Sequence, residues 1–92
     1  MRITELPEQE RLIQLAEECS ELAQASLKLV RALNGQTPIS EEQARKDWIE
    51  EMGDVAVCMK FMMDTATEAA IQAVADYKTE RWENRLNNVV TV

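Results

Sequence analysis

"LAEECSELAQASLKLVRALNG", Leu15 to Gly35, reads as a helix and its end. Leu12, Ala16, Cys19, Ala23, Ser26, Val30 and Leu33 recur at steps of three and four, with Leu15, Leu22 and Leu29 alongside. That spacing gives one long amphipathic helix with a buried stripe. Asn34-Gly35 closes it, because glycine takes the left-handed conformation that ends a helix, and Pro7 suits its first turn. Within this helix Glu17, Glu18 and Glu21 crowd into five positions, although like charges three and four apart weaken a helix by a few tenths of a kcal/mol. "WIEEMGDVAV", Trp48 to Val57, repeats the crowding with Glu50, Glu51 and Asp54.

The rest of the chain follows the same helical logic. Only two glycines and two prolines occur in 92 residues, and Ala, Leu, Glu, Gln and Met dominate, so an all-α fold is expected. "GQTPIS" is a loop, and Ser40 with Gln43 forms a capping box that opens a second helix. Its stripe is Trp48, Ile49, Met52, Val55, Ala56, Met59, Met62 and Met63. Thr65 and Glu68 fit another capping box, which places a break between Asp64 and Thr67. A third helix then carries Ala70, Ile71, Val74, Tyr77, Arg81, Trp82 and Leu86, and "VVTV" reads as an extended tail. The expectation is one helical domain over residues 1–92, an antiparallel bundle of three to four helices.

Composition narrows the chemistry. Ten basic against seventeen acidic residues give a net charge of −7, which argues against a nucleic-acid polymer as partner. No run reaches the ~18 apolar residues of a membrane span, and "MRITELPEQERL" lacks a signal-peptide core, so no membrane association and a cytoplasmic location are expected. Cys19 and Cys58 fall on predicted apolar faces without metal-type spacing and read as reduced core residues. The absence of histidine removes imidazole acid–base catalysis and Glu-x-x-His metal sites. A metal here would be held by oxygen, which suits Mg²⁺ or Mn²⁺.

Helical geometry gives the acidic clusters a direction. At 100° per residue, a first stripe centred near Cys19 and Ser26 puts Glu18 roughly 80° and Glu21 roughly 140° from that centre. A second stripe centred near Trp48 and Met59 puts Glu51 and Asp54 at the same angles on the same side. In an antiparallel pair these flanks can face one groove, where four carboxylates converge. A solvated face explains one such cluster, but matched clusters on adjacent helices are harder to explain that way. Gly53, a glycine inside a helix, calls for a reason such as close approach of a backbone or ligand.

Glu17-Glu18-x-x-Glu21 and Glu50-Glu51-x-Gly-Asp54, followed by a helix bearing Lys78, Arg81 and Arg85, resemble the MazG-like all-α nucleoside triphosphate pyrophosphohydrolases over roughly residues 10 to 86. The resemblance implies a helical bundle completed by dimerisation, often as a tetramer. It implies Mg²⁺-dependent hydrolysis of a (deoxy)nucleoside triphosphate to monophosphate and pyrophosphate, in nucleotide-pool cleansing. Glu18, Glu21, Glu51 and Asp54 match the family's metal-binding carboxylates, and Glu17 and Glu50 match acidic positions of second rank. Glu21, with Glu18, is the candidate for accepting the proton of an attacking water.

Lys78, Arg81 and Arg85 recur at three and four residues and, with Lys28 two turns beyond Glu21, are the candidate phosphate contacts. Many relatives carry an asparagine where this chain has Trp82. Trp82 and Trp48 are candidates for stacking a base, against a packing role for each. Two other readings share these residues: a phosphoribosyl-ATP pyrophosphohydrolase, whose usual histidine after the aspartate is absent here, and a non-enzymatic helical oligomerisation or binding module.

Overall fold

The computed structural model describes residues 1–91; Val92, the last residue of the expected tail, lies outside them. It is all-helical: after a 3-10 turn over Ile3–Glu5 come α1 (Glu8–Leu33), α2 (Glu41–Lys60) and α3 (Thr65–Thr91). The chain divides into two compact units, Met1–Met62 and Met63–Val92.

In the first unit α1 and α2 form an antiparallel hairpin. Asn34 caps α1, and Gly35 takes φ +66 beyond it. Gln36 N–H then bonds Arg31 C=O at 2.8 Å and Gly35 N–H bonds Ala32 C=O at 3.2 Å, a Schellman end that satisfies the last carbonyls. Ser40 Oγ accepts from Gln43 N–H at 3.1 Å and opens α2. The expected capping box is only half made, because the Gln43 side chain reaches forward to Asp47 Oδ1 at 2.8 Å instead of back.

The seam between the helices corrects the expected stripes. On α1 the less exposed residues are Arg11, Leu15, Glu18, Leu22, Ala25, Ser26, Leu29 and Ala32; on α2 they are Ala44, Asp47, Trp48, Glu51, Val55 and Cys58. The expected residues Leu12, Val30, Leu33, Met52 and Met59 are 40 to 52% exposed instead, and Cys19 is exposed as well. The physical reason is that α1 carries apolar residues over more than half its circumference, and a single neighbouring helix covers only part of that arc. Among the described residues Ala25 and Ala44 are the buried apolar ones. Both are alanines, which lets two helix axes approach closely.

Register is pinned at both ends of the seam. Trp48 Nε1–H donates to Ser26 Oγ at 3.1 Å near the loop. Near the open end Arg11 Nη1 donates to Phe61 C=O at 2.8 Å, closing the C-terminus of α2 with a cation where the helix dipole favours one.

The second unit is α3, preceded by its cap. The break falls over 61–64, slightly earlier than expected, and the cap is Asp64 rather than Thr65: Thr67 N–H donates to Asp64 Oδ1 at 2.7 Å. The Thr67 hydrogen bonds hold the Asp64 carboxyl below its ordinary range. The helix runs through Thr91, so the "VVT" of the expected extended tail is helical. Helix propagation explains the difference, since each added residue gains a bond once the helix is nucleated.

Ser40 caps α2 at the end of the loop that turns the hairpin back on itself. Ser40→Ala is expected to cost about 1 kcal/mol, read as a lower urea midpoint at unchanged slope.

Candidate metal centre

Between the two pins, α1 and α2 present their carboxylates to each other. Glu18, Glu21, Glu51 and Asp54 each offer an oxygen within 4.8 Å of the others. The sequence brings together these four residues, but their placement differs from expectation in one respect. Glu18 and Glu51 belong to the interhelical seam, while Glu21 and Asp54 are exposed at its lip. The shift follows from the seam lying a step around each helix from the centre that the apolar pattern suggests.

Electrostatics mark the seam pair as unusual. Oε2 of Glu18 and Oε2 of Glu51 are enclosed with no hydrogen-bond partner; Gln14 Nε2 donates to the other Glu18 oxygen at 2.7 Å. An enclosed, unpartnered carboxylate oxygen is costly unless a cation or proton meets it. Desolvation, followed by the charges of Glu21 and Asp54, pushes the Glu18 carboxyl above its ordinary value, and the Gln14 bond opposes this only in part. An all-oxygen donor set of this kind suits a hard divalent cation such as Mg²⁺ or Mn²⁺.

A cleft of about 220 Å³ adjoins the quartet on the loop side, lined by Glu21, Lys28, Asp47, Glu50 and Glu51 among others. Lys28 is its one basic residue, so the structure sets one of the expected phosphate contacts beside the carboxylates. Glu50 shares this cleft, whereas Glu17 is exposed and outside it. Trp48 packs in the seam with its indole N–H bonded to Ser26. Gly53 has no crowding to explain it, since a Cβ there would meet open space.

The remaining expected contacts lie on α3. Arg81 and Arg85 line a groove of that helix with Tyr77 and Glu80, Lys78 is not among its lining residues, and Trp82 is 69% exposed. Cys58, half-buried in the hairpin, is a free thiol pushed above its ordinary pKa by burial and then by the charges of Glu18 and Asp54, which makes it a poor nucleophile. Arg11 is a residue that the sequence reading passed over; its spacing from Leu15, Glu18 and Leu22 on the leucine heptad was the available signal. No described helix is long and apolar enough to cross a membrane. Set against family models, curated proteins and solved structures, the chain matches none.

The raised Glu18 pKa fixes the sign of a test. Its stabilising contribution is complete below the unfolded-state value and is lost as pH rises through the higher folded-state value. Glu18→Gln, which mimics the protonated form, is therefore expected to melt above the parent protein in EDTA at pH 7.5, with the gap closing toward pH 4. Added Mg²⁺ should reverse the order at pH 7.5, because only the parent keeps the full ligand set. Differential scanning calorimetry reads all three conditions.

Proposed function

We propose that this chain is a MazG-like pyrophosphohydrolase, which hydrolyses a (deoxy)nucleoside triphosphate to the monophosphate and pyrophosphate with Mg²⁺ or Mn²⁺ and cleanses the nucleotide pool. The observation that carries the reading is the quartet: four carboxylates from two antiparallel helices with oxygens within 4.8 Å, two of them holding enclosed, unpartnered oxygens. Exposed acidic groups are common, but enclosed oxygens without donors ask for a positive partner.

In this reading Glu18 and Glu51 hold the metal from the seam, and Glu21 and Asp54 hold it from the lip. When bound, the divalent ion neutralises triphosphate charge and lowers the pKa of water. Glu21, exposed at the lip, accepts the proton of the attacking water. Lys28, in the adjoining cleft, balances phosphate charge as the P–O bond to pyrophosphate breaks. Gln14 fixes the Glu18 carboxylate through its 2.7 Å bond, and the second oxygen, which has no hydrogen-bond partner, would be left for the ion.

The reading includes self-association. Leu12, Val30, Leu33, Met52 and Met59 are exposed, and by the helical period they lie across the helix axes from Glu21 and Asp54. A hairpin whose buried core is two alanines has too little core to offset its chain entropy alone. Two copies packing these faces complete a bundle and leave the carboxylates free, as a homodimer or a homotetramer built from it.

Purified protein is expected to release pyrophosphate from at least one of the eight common triphosphates, and only with Mg²⁺ or Mn²⁺ present. Glu51→Gln should lower that rate by at least about 100-fold, since changes one shell further out already cost 10–100-fold, while circular dichroism and oligomeric state stay as in the parent. Inactivity across the panel, or full activity of Glu51→Gln, contradicts the assignment. Val30→Glu is expected to shift sedimentation toward the monomer with loss of helicity.

A further inference from the structure

Arg11, at the open end of the hairpin, takes no part in the proposed chemistry. Its Nη1 donates to the Phe61 carbonyl at 2.8 Å, while Nε is enclosed without a hydrogen-bond partner. Enclosing part of a guanidinium for one carbonyl bond is a poor exchange if capping is all that it serves, because water can meet a helix's last carbonyls. The position of the bond gives it a second role.

Phe61 is the C-cap of α2 and stands seven residues beyond Asp54, and Arg11 stands seven residues before Glu18. Seven residues are two turns, about 10.5 Å of rise with only about 20° of drift, so the bond and the two carboxylates share one line on each helix. An axial shift of either arm at the bond is passed along a rigid helix to Glu18 or Asp54. Little else fixes the arms there. Among the described residues two hydrogen bonds join the arms of the hairpin, and the other, Trp48 to Ser26 at 3.1 Å, lies near the loop. Ile3, Leu6, Val57 and Phe61 line a cleft of about 210 Å³ at the open end, so close packing does not set the register.

We propose that Arg11 is a positioning residue: through the Phe61 carbonyl it sets the axial offset between α1 and α2, and with it the placement of Glu18 against Asp54 across the seam. The inference rests on the metal-dependent reading of the quartet and adds the residue outside it that sets its geometry. Mg²⁺ makes the requirement strict, since it takes oxygens at about 2.1 Å in near-ideal octahedral geometry. The division of labour follows from the two bonds. Gln14 orients the Glu18 carboxylate, and Arg11 sets the height at which that carboxylate meets Asp54. Trp48, three residues from Glu51, governs the loop-side half.

Titration of the full chain with Mn²⁺, read as loss of the free aquo-ion signal in electron paramagnetic resonance, tests the assignment without substrate. Arg11→Met keeps the apolar stem and removes the donor. It is expected to bind Mn²⁺ at least about tenfold more weakly than the parent, the lower end of what supporting residues cost, while Arg11→Lys, which keeps a donor, stays within about threefold. Ser40→Ala, which weakens the hairpin at its opposite end, is expected to match the parent, because apparent affinity falls only with the folded fraction. Parent-like affinity in Arg11→Met, or an equal loss in Arg11→Lys or Ser40→Ala, overturns the proposal and leaves the metal reading standing. If the parent itself takes up no Mn²⁺, both fail together. Should Arg11→Met not fold by circular dichroism, Arg11→Gln, whose amide stops short of the guanidinium's reach, is held to the same criterion.

Discussion

Two like charges held in a helix–helix seam are the constraint around which this hairpin is arranged. A seam of this type normally gains stability from apolar contact, yet at its middle it carries Glu18 against Glu51. Each has one oxygen enclosed without a donor. Close approach makes the juxtaposition possible: Ala25 and Ala44, the buried pair, bring the axes together about two turns away. Once the axes are close, the Ser26–Trp48 and Arg11–Phe61 bonds leave the carboxylates no register in which to separate. A one-step slip would break both pins at once.

The same register divides the hairpin into two faces with opposite needs. One face collects negative charge, which a cation would offset. The other exposes Leu12, Val30, Leu33, Met52 and Met59, apolar surface that contact with more protein would remove from water. Neither requirement is met by the hairpin's own core, because nothing larger than alanine is fully buried. Under the proposed reading a ligand and a second copy would add to the folding free energy, and each kcal/mol so gained is a large fraction of a small domain's net stability. Val30 and Met59 lie on the face away from Glu21 and Asp54, so a substitution there leaves the carboxylates untouched.

Local signals carried much of the fold in the sequence. The Asn34-Gly35 end and the Ser40 cap are written in residues whose conformational roles are nearly unique, and the pairing of α1 with α2 and the four converging carboxylates follow from them. Which part of a wide apolar arc meets which neighbour is a tertiary choice, and the periodicity of Leu12, Cys19 and Val30 against Leu15, Leu22 and Leu29 does not make it. That single ambiguity moved Glu18 and Glu51 from flank to seam. Capping reads less well where two residues compete: Asp64 and Thr65 are both good caps, and the carboxylate with its 2.7 Å bond is the one used. Gly53 illustrates the limit from the other side, since its rarity in a helix suggested crowding and the chain provides none.

The order of groups along the seam bears on how one hairpin could both bind and discriminate. From the open end toward the loop, the lining passes from apolar residues with an unmet Arg11 donor, through four carboxylates, to a cleft holding Lys28. A ligand matching this sequence is apolar at one end and anionic along the rest, and it needs a cation in the middle to cross the carboxylates at all. Without the cation the quartet repels the anionic part, so affinity at the apolar end alone does not hold the ligand in line. With it, such a ligand would be met at both ends across a span fixed by the pinned register, and at the carboxylates small displacements weigh heavily on reactivity.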